Sequence, residues 1–281
     1  MQRPVLLVHG FNGNPNNWEN MHTWLTRGGD NKDGGIVKGS GGTVKPDAKV
    51  FVMEFTRPFN PVHMNAKELR QAIDKITAAT GASEVDVVAH SMGGLDTRLY
   101  LDQGNEKVNN LVMIGTPNRG SVLADLEMTF RELGLPIKPP TDDPLVRQAL
   151  TDLGEVRGDN NPLLTGLNRS WDRQREAANI FIISGNGKPT LASRFMLTMR
   201  GDGVVSRKSS EMPDVDKRNI WWTSHSGVKD HPDALRMTGA FLTGRPLPMQ
   251  EQEPPDIPPD REIVPDQIVA DKETLHYVLA Q

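Results

Sequence analysis

The run Val85-Asp86-Val87-Val88-Ala89-His90-Ser91-Met92-Gly93-Gly94 decides the fold. A β-branched apolar stretch leads straight into a serine flanked by small residues, and a helix-like pattern follows through Leu95, Leu99 and Leu101. This order predicts a strand, a very sharp turn and a helix, with the serine hydroxyl standing clear of the backbone. Such a turn brings neighbouring chain close, so a Cβ at Gly93 is expected to collide with it. Serine two residues before glycine is common by chance; between a strand and a helix it becomes specific. The plain alternative is an ordinary strand-to-helix loop with an exposed serine.

Outward from this run, short apolar stretches alternate with longer amphipathic ones. Pro4–His9, Lys49–Phe55, Glu84–Ala89, Val108–Ile114, Asn179–Ser184 and Asn219–Thr223 read as strands. Several are almost continuously apolar, as in a parallel sheet covered on both faces. The clearest helix runs over about Val62–Thr80, with Leu69, Ile73 and Ile76 on one stripe and Gly81 at its end. The alternation predicts an α/β fold with a doubly wound, mostly parallel sheet. Two segments break the rhythm. Arg27–Gly42, rich in Gly, Asp, Asn and Lys, reads as a long surface loop, and the spacing of Asp30 and Asp33 fits no standard calcium loop. From Ser121 to about Arg175 no clear strand is seen, and Leu126, Met128, Phe130, Leu133, Leu135 and Ile137 need cover or a ligand. This reads as a helical insertion at about 121–175, packed on the core, acting as a cap over a pocket, or both.

The main unit is thus expected at 1–243, and the character changes at 244–281. That tail holds seven of the 21 prolines and a net charge of -5, against -4 for all 281 residues. Pro-Pro at 254–255 and 258–259 favours an extended course. It reads as a non-catalytic appendage with no identified partner.

Composition narrows the function. The slight acidity gives no basic footprint for nucleic acid. No window has the apolar length of a membrane span. Cys is absent, so there is neither a disulfide framework nor thiolate chemistry. No metal or cofactor motif emerges. The chain opens Met1-Gln2-Arg3-Pro4 and enters a strand at once, which reads as no signal peptide; a cytoplasmic protein and a mature secreted form both fit. The 12 Met residues suit core packing or an adaptable apolar pocket.

A serine becomes nucleophilic near neutral pH only beside a base, which an acid must orient. Seven histidines are available. His9 and His22 come too early, His63 opens a helix, His276 lies in the tail, and His90 adjoins Ser91 with its side chain expected to point elsewhere. His225 follows the last expected strand and precedes a helical run through Leu235, Met237 and Leu242. It is favoured over His231, which beside Pro232 reads as a helix entry. The acid is expected in an earlier loop of the same sheet edge. Gly201-Asp202-Gly203 offers Asp202 between two glycines that let the backbone wrap closely; the plain reading is a turn aspartate. A tetrahedral oxyanion needs two preplaced N–H donors. Met92, at the start of the helix, is one candidate; Phe11, after the sharp bend at His9-Gly10, is the other.

Taken together, Val8-His9-Gly10-Phe11, Ala89-His90-Ser91-Met92-Gly93-Gly94, Gly115-Thr116-Pro117-Asn118-Arg119-Gly120-Ser121, Gly201-Asp202-Gly203-Val204-Val205 and His225 resemble the α/β-hydrolases of the small bacterial triacylglycerol lipase and esterase type. The resemblance covers about residues 4–243. Ala89 stands where most such enzymes carry a glycine, a change shared by the small lipases. The resemblance implies Ser91 as nucleophile, Asp202 as acid, His225 as base, and the amides of Phe11 and Met92 as oxyanion donors. It implies hydrolysis of carboxylic esters, lipid-like ones included, with contact at a lipid interface and no cofactor or metal. Thioesters, phospholipids and amides are substrates for the same machinery. A non-catalytic binding protein on the same fold is the reading from another class.

Overall fold

A computed structural model describes residues 1–42, 44–124, 143–155, 161–191, 198–250, 252 and 254. Its strands are β1 (Val5–Val8), β2 (Asp33–Lys38), β3 (Val50–Glu54), β4 (Val85–His90), β5 (Val108–Ile114), β6 (Asn179–Asn186), β7 (Lys188–Leu191), β8 (Thr198–Gly201) and β9 (Asp216–Trp221). Its α-helices, among the described residues, are α1 (Glu19–Thr26), α2 (Val62–Thr80), α3 (Met92–Asp102), α4 (Pro144–Leu153), α5 (Pro162–Arg169), α6 (Trp171–Ala177), α7 (Arg207–Ser210) and α8 (Pro232–Leu242).

Seven strands form one sheet in the order β2-β3-β1-β4-β5-β6-β9, and every neighbouring pair is parallel. The strands are apolar on both faces because helices cover both. Leu6, Val8, Val87, Ala89 and Met113 pack towards Leu69 and Ile73 of α2 and Tyr100 of α3. Their alternates Val5, Leu7, Val88, Val112 and Ile114 pack towards Met21 and Leu25 of α1 and Met237 and Leu242 of α8. From β1 the winding runs one way to β3 and β2, and the other way through β4 to β9. The reversal therefore falls between β1 and β4. A crevice opens beyond the carboxyl ends of strands at such a switch point, so the loops after Val8 and His90 are where a site is expected.

α2 begins and ends where its sequence pattern places it, and Gly81 closes it at φ 70°. The Arg27–Gly42 expectation needs correction, because edge strand β2 lies within it. β2 pairs only with β3 and carries a bulge between Asp33 and Gly35, so no regular alternation marks it. Gly34 is required there because the Phe51 ring fills the place of its Cβ. Asp33 accepts from His22 at 3.0 Å and from the Gly35 amide at 2.7 Å. The last strand also begins earlier than expected, at Asp216: its charged first half, Asp216-Lys217-Arg218, belongs to the other edge of the sheet. The Gln250 side chain pairs with both main-chain groups of Asn219 there (2.7 and 3.1 Å).

In the 121–175 stretch α4, α5 and α6 lie among the described residues, while Leu126 to Ile137 lie outside them. The Asp143 carboxylate caps α4 by accepting from Leu145 N at 2.9 Å, and Asn161 caps α5 through Leu164 N at 3.0 Å. Pro144 and Pro162 occupy the first turns. Arg98 ties this insertion to α3. Its guanidinium is fully buried and donates to Gln174 Oε1 (2.8 Å), Asn118 Oδ1 (2.9 Å), Leu167 O (2.8 Å) and Asn168 Oδ1 (3.0 Å).

Candidate active site

Ser91 sits between β4 and α3 at φ 54°, ψ −127°, a conformation that costs a non-glycine residue on the order of 1–3 kcal/mol. The turn is held by Ser91 N donating to Ile114 O (2.9 Å) and Gly94 N donating to Ser91 O (3.0 Å). A Cβ on Gly93 would lie 2.7 Å from the carbonyls of Val8 and His9, and one on Gly10 would lie 2.7 Å from Ser91 Cβ. The β1 and β4 loops thus touch through two glycines. Asn12 and Trp222, on neighbouring loops, also adopt positive φ (55° each).

Ser91, Asp202 and His225, far apart in sequence, converge at this edge. His225 Nε2 lies 3.0 Å from Ser91 Oγ, and Nδ1 lies 2.8 Å from Asp202 Oδ2. A carboxylate only accepts, so Nδ1 carries the proton and the Nε2 lone pair faces the serine hydroxyl. Asp202 is buried, and its other oxygen accepts from Val204 N (3.0 Å) and Val205 N (2.7 Å). The flanking glycines make this wrap possible: Gly203 has φ 98°, and a Cβ on Gly201 would press on Ser206 Cα at 2.8 Å. Gly185, at the end of β6, leaves room for the acid; a Cβ there would sit 2.5 Å from Asp202 Cβ.

Phe11 and Met92 flank the serine. Met92 is the first residue of α3, and its amide would lie 3.1 Å from a Cβ on Gly10. Neither amide has a hydrogen-bond acceptor among the described residues. Their side chains join an apolar cluster with Val62, Leu95, Val146, Leu150, Leu164 and Leu167, so α4 and α5 pack against the residues that flank Ser91. The Phe11 ring meets Phe59 edge-on at 5.3 Å.

His231 accepts from Asp233 N at 3.2 Å and caps α8, away from Ser91. The His90 side chain, expected to point elsewhere than Ser91, reaches the main chain of His225. Its Nε2 lies 2.8 Å from the carbonyl oxygen of His225, and the two rings are 4.7 Å apart. Burial, and next the neighbouring His225, hold it well below the ordinary histidine value. Sequence offers no signal for a contact spanning 135 positions. A second link is equally silent: Asn118 Nδ2 donates to Ser210 O, Ser121 Oγ to Val204 O and Ser209 Oγ to Gly120 O (2.6–2.7 Å), tying the loop after β5 to the Asp202 turn.

A parallel sheet with a strained serine at the turn after its central strand, and a histidine and an aspartate on later loops of the same edge, is the α/β-hydrolase fold. The model for the alpha/beta hydrolase fold matches residues 3–136. Among curated proteins, the chain is 30% identical over 124 residues to a triacylglycerol lipase of Pseudarthrobacter phenanthrenivorans, covering 43% of this chain and 35% of that one. A triacylglycerol lipase of Burkholderia plantarii is 30% identical over 124 residues, covering 43% and 31%. The match thus spans about a third of the length of these relatives. Among solved structures, the mature Bacillus licheniformis lipase BlEst2 superposes with a TM-score of 0.57 at 18% identity, covering 86% of this chain and 89% of that one. The lin2722 product of Listeria innocua superposes at 0.60 and 18%, covering 92% and 97%.

Proposed function

We propose that the protein hydrolyses carboxylic esters with apolar acyl groups through an acyl-serine intermediate. One observation carries this reading: His225 bridges Ser91 Oγ at 3.0 Å and Asp202 Oδ2 at 2.8 Å with its bare nitrogen towards the serine. In the first step Ser91 Oγ attacks the ester carbonyl carbon while Nε2 takes the hydroxyl proton. The tetrahedral oxyanion is met by the amides of Phe11 and Met92; one such donor lowers the barrier by about 3 kcal/mol. Collapse of this intermediate breaks the ester C–O bond, and the imidazolium gives its proton to the leaving alcohol. Water, deprotonated by Nε2, then attacks the acyl-serine carbonyl carbon; the acyl–Oγ bond breaks, Oγ takes the proton back from the imidazolium, and the acid is released. Asp202 keeps His225 in the required tautomer throughout. The apolar cluster around Phe11, Leu95, Val146 and Leu164 supports an acyl chain as the group bound beside the serine. Within this reading residues 1–243 are the catalytic unit, about 121–175 its cap, and 244–281 an appendage. An ester substrate is then the partner, met at times at a lipid interface. Among the described residues no helix is long and apolar enough to cross a membrane.

Ser91→Ala tests the assignment. It is expected to lower hydrolysis of medium-chain p-nitrophenyl esters by on the order of 10⁴-fold or more, and to abolish labelling by a fluorophosphonate probe. Full activity in Ser91→Ala would refute it. A folded wild-type protein that neither labels nor hydrolyses any ester would favour a binding role.

A further inference from the structure

Gly115-Thr116-Pro117-Asn118-Arg119-Gly120-Ser121, the loop after β5, supplies none of the groups that act on the ester. Its last residue, Ser121, is buried and stands at a junction. The main chain of Ser121 belongs with the insertion: Ser121 N donates at 2.8 Å to the carbonyl of Leu153, the last residue of α4. Gly120 allows this approach at φ 86°, since a Cβ there would lie 2.1 Å from Gly154 O. The side chain of Ser121 serves the acid turn instead: Oγ donates to Val204 O at 2.7 Å.

Val204 O and Val205 N belong to one planar peptide unit. In a trans peptide the C=O and N–H point in opposite directions, so a group that grips the oxygen also aims the hydrogen. Val205 N donates to Asp202 Oδ1 at 2.7 Å, a shorter bond than the one from Val204 N at 3.0 Å. The result is one chain of bonds: Ser121 hydroxyl, Val204–Val205 peptide, Asp202 carboxylate, and His225 Nδ1 at 2.8 Å from Oδ2. Hydrogen bonds in series polarise one another, so the hydroxyl makes Val205 N–H a stronger donor. Fixing Oδ1 from this side sets the carboxyl plane, and with it the place where Oδ2 meets the imidazole. The Gly203 end of the turn is held separately, by Gly203 N donating to Thr190 Oγ1 at 2.9 Å.

We infer that Ser121 is a positioning residue of the reaction: through the Val204–Val205 peptide it holds the Asp202 carboxylate in line with His225. The inference rests on the reading of Ser91, Asp202 and His225 as a hydrolytic triad. Steady-state kinetics on p-nitrophenyl butyrate test it. Ser121→Ala is expected to lower kcat about tenfold or more with little change in KM, because the base loses alignment and the substrate keeps its contacts. Ser121→Thr keeps the hydroxyl and should retain most of the wild-type kcat. In an Asp202→Asn background, Ser121→Ala should lower kcat little further, because no carboxylate remains to be aligned. A merely structural loss would add in full in that background. Such an additive loss, a kcat for Ser121→Ala near the wild-type value, or an equal loss in a Ser121→Thr that melts like wild type overturns the inference. Wild-type activity in Asp202→Asn alone would overturn the reading of Asp202 as the acid, and this inference with it. Thermal melting of each variant separates these effects from unfolding.

Discussion

His90 donates from Nε2 to the main-chain carbonyl of His225 at 2.8 Å, and the rings lie 4.7 Å apart at 40°. A carbonyl only accepts, so the proton of the neutral His90 ring is on Nε2. A cationic His90 at this distance would oppose a positive charge on His225; burial keeps His90 uncharged.

His90→Phe keeps the ring volume and removes the donor. It is expected to lower kcat on a soluble ester roughly 10- to 100-fold with little change in KM, because a misplaced base loses alignment, not substrate. Steady-state kinetics check this. The pH dependence of stability has a definite sign as well. The folded-state value is depressed below 6.5, so the contribution of His90 is present above that pH and lost as pH falls through it. The melting temperature of wild type should therefore drop more steeply than that of His90→Phe between pH 7 and pH 5.

Gly185→Ala places a methyl group 2.5 Å from Asp202 Cβ. Overpacking of this kind costs about 1–3 kcal/mol, and the acid has little room to retreat because Val204 N and Val205 N hold its other oxygen. The expected outcome is a folded protein with kcat/KM reduced at least tenfold. Unaltered kinetics would show that the Asp202 turn shifts freely.

The legible part of the chain was the part with strong local pattern. β1, β4, β5 and β6 are apolar on both faces and bounded by turn residues, so they stand out. The segments holding Ser91, Asp202 and His225 stand out for a related reason: a tight turn at a strand end demands small residues, and glycine is visible in sequence. What stayed hidden depends on distant partners. β2 is a bulged edge strand that reads as loop because only one neighbour orders it. Arg98 looks like a surface charge on a helix until α5, α6 and the loop after β5 close around it. His90 has no local signal for its bond to His225.

Arg98 yields a prediction about the insertion. Its guanidinium satisfies four acceptors, none of them a carboxylate, and it packs near the Trp171 ring. Arg98→Met removes the donors and leaves three side-chain oxygens to find new partners, while the carbonyl of Leu167 still accepts from Gln174 Nε2 at 2.7 Å. A buried acceptor left bare costs about 1–3 kcal/mol, so a loss of at least about 3 kcal/mol in urea unfolding is expected. Arg98→Lys should rescue only part of it, since an ammonium cannot span acceptors on four residues.

Asp86 yields the clearest test of buried charge. It is 1% exposed on β4, near the amino end of the sheet. Oδ1 accepts from the backbone and side-chain nitrogens of Asn110 (3.2 and 2.9 Å), while Oδ2 is buried with no partner among the described residues. Burial raises its pKa from 3.8 to about 6, against the opposing pull of Arg3 and Asn110. A carboxyl whose folded-state value is raised binds its proton more tightly in the native state. Its effect on stability is therefore absent below pH 3.8 and grows more unfavourable as pH rises to about 6. Above that it is constant, on the order of 3 kcal/mol at 1.36 kcal/mol per pKa unit. Asp86→Asn keeps the Oδ1 acceptor and removes the ionisation. In urea unfolding, the stability of Asp86→Asn minus that of wild type should thus rise between pH 4 and pH 7 by up to that amount, then level off. A difference that stays flat across this range would mean that the carboxylate is as well solvated in the sheet as in the unfolded chain.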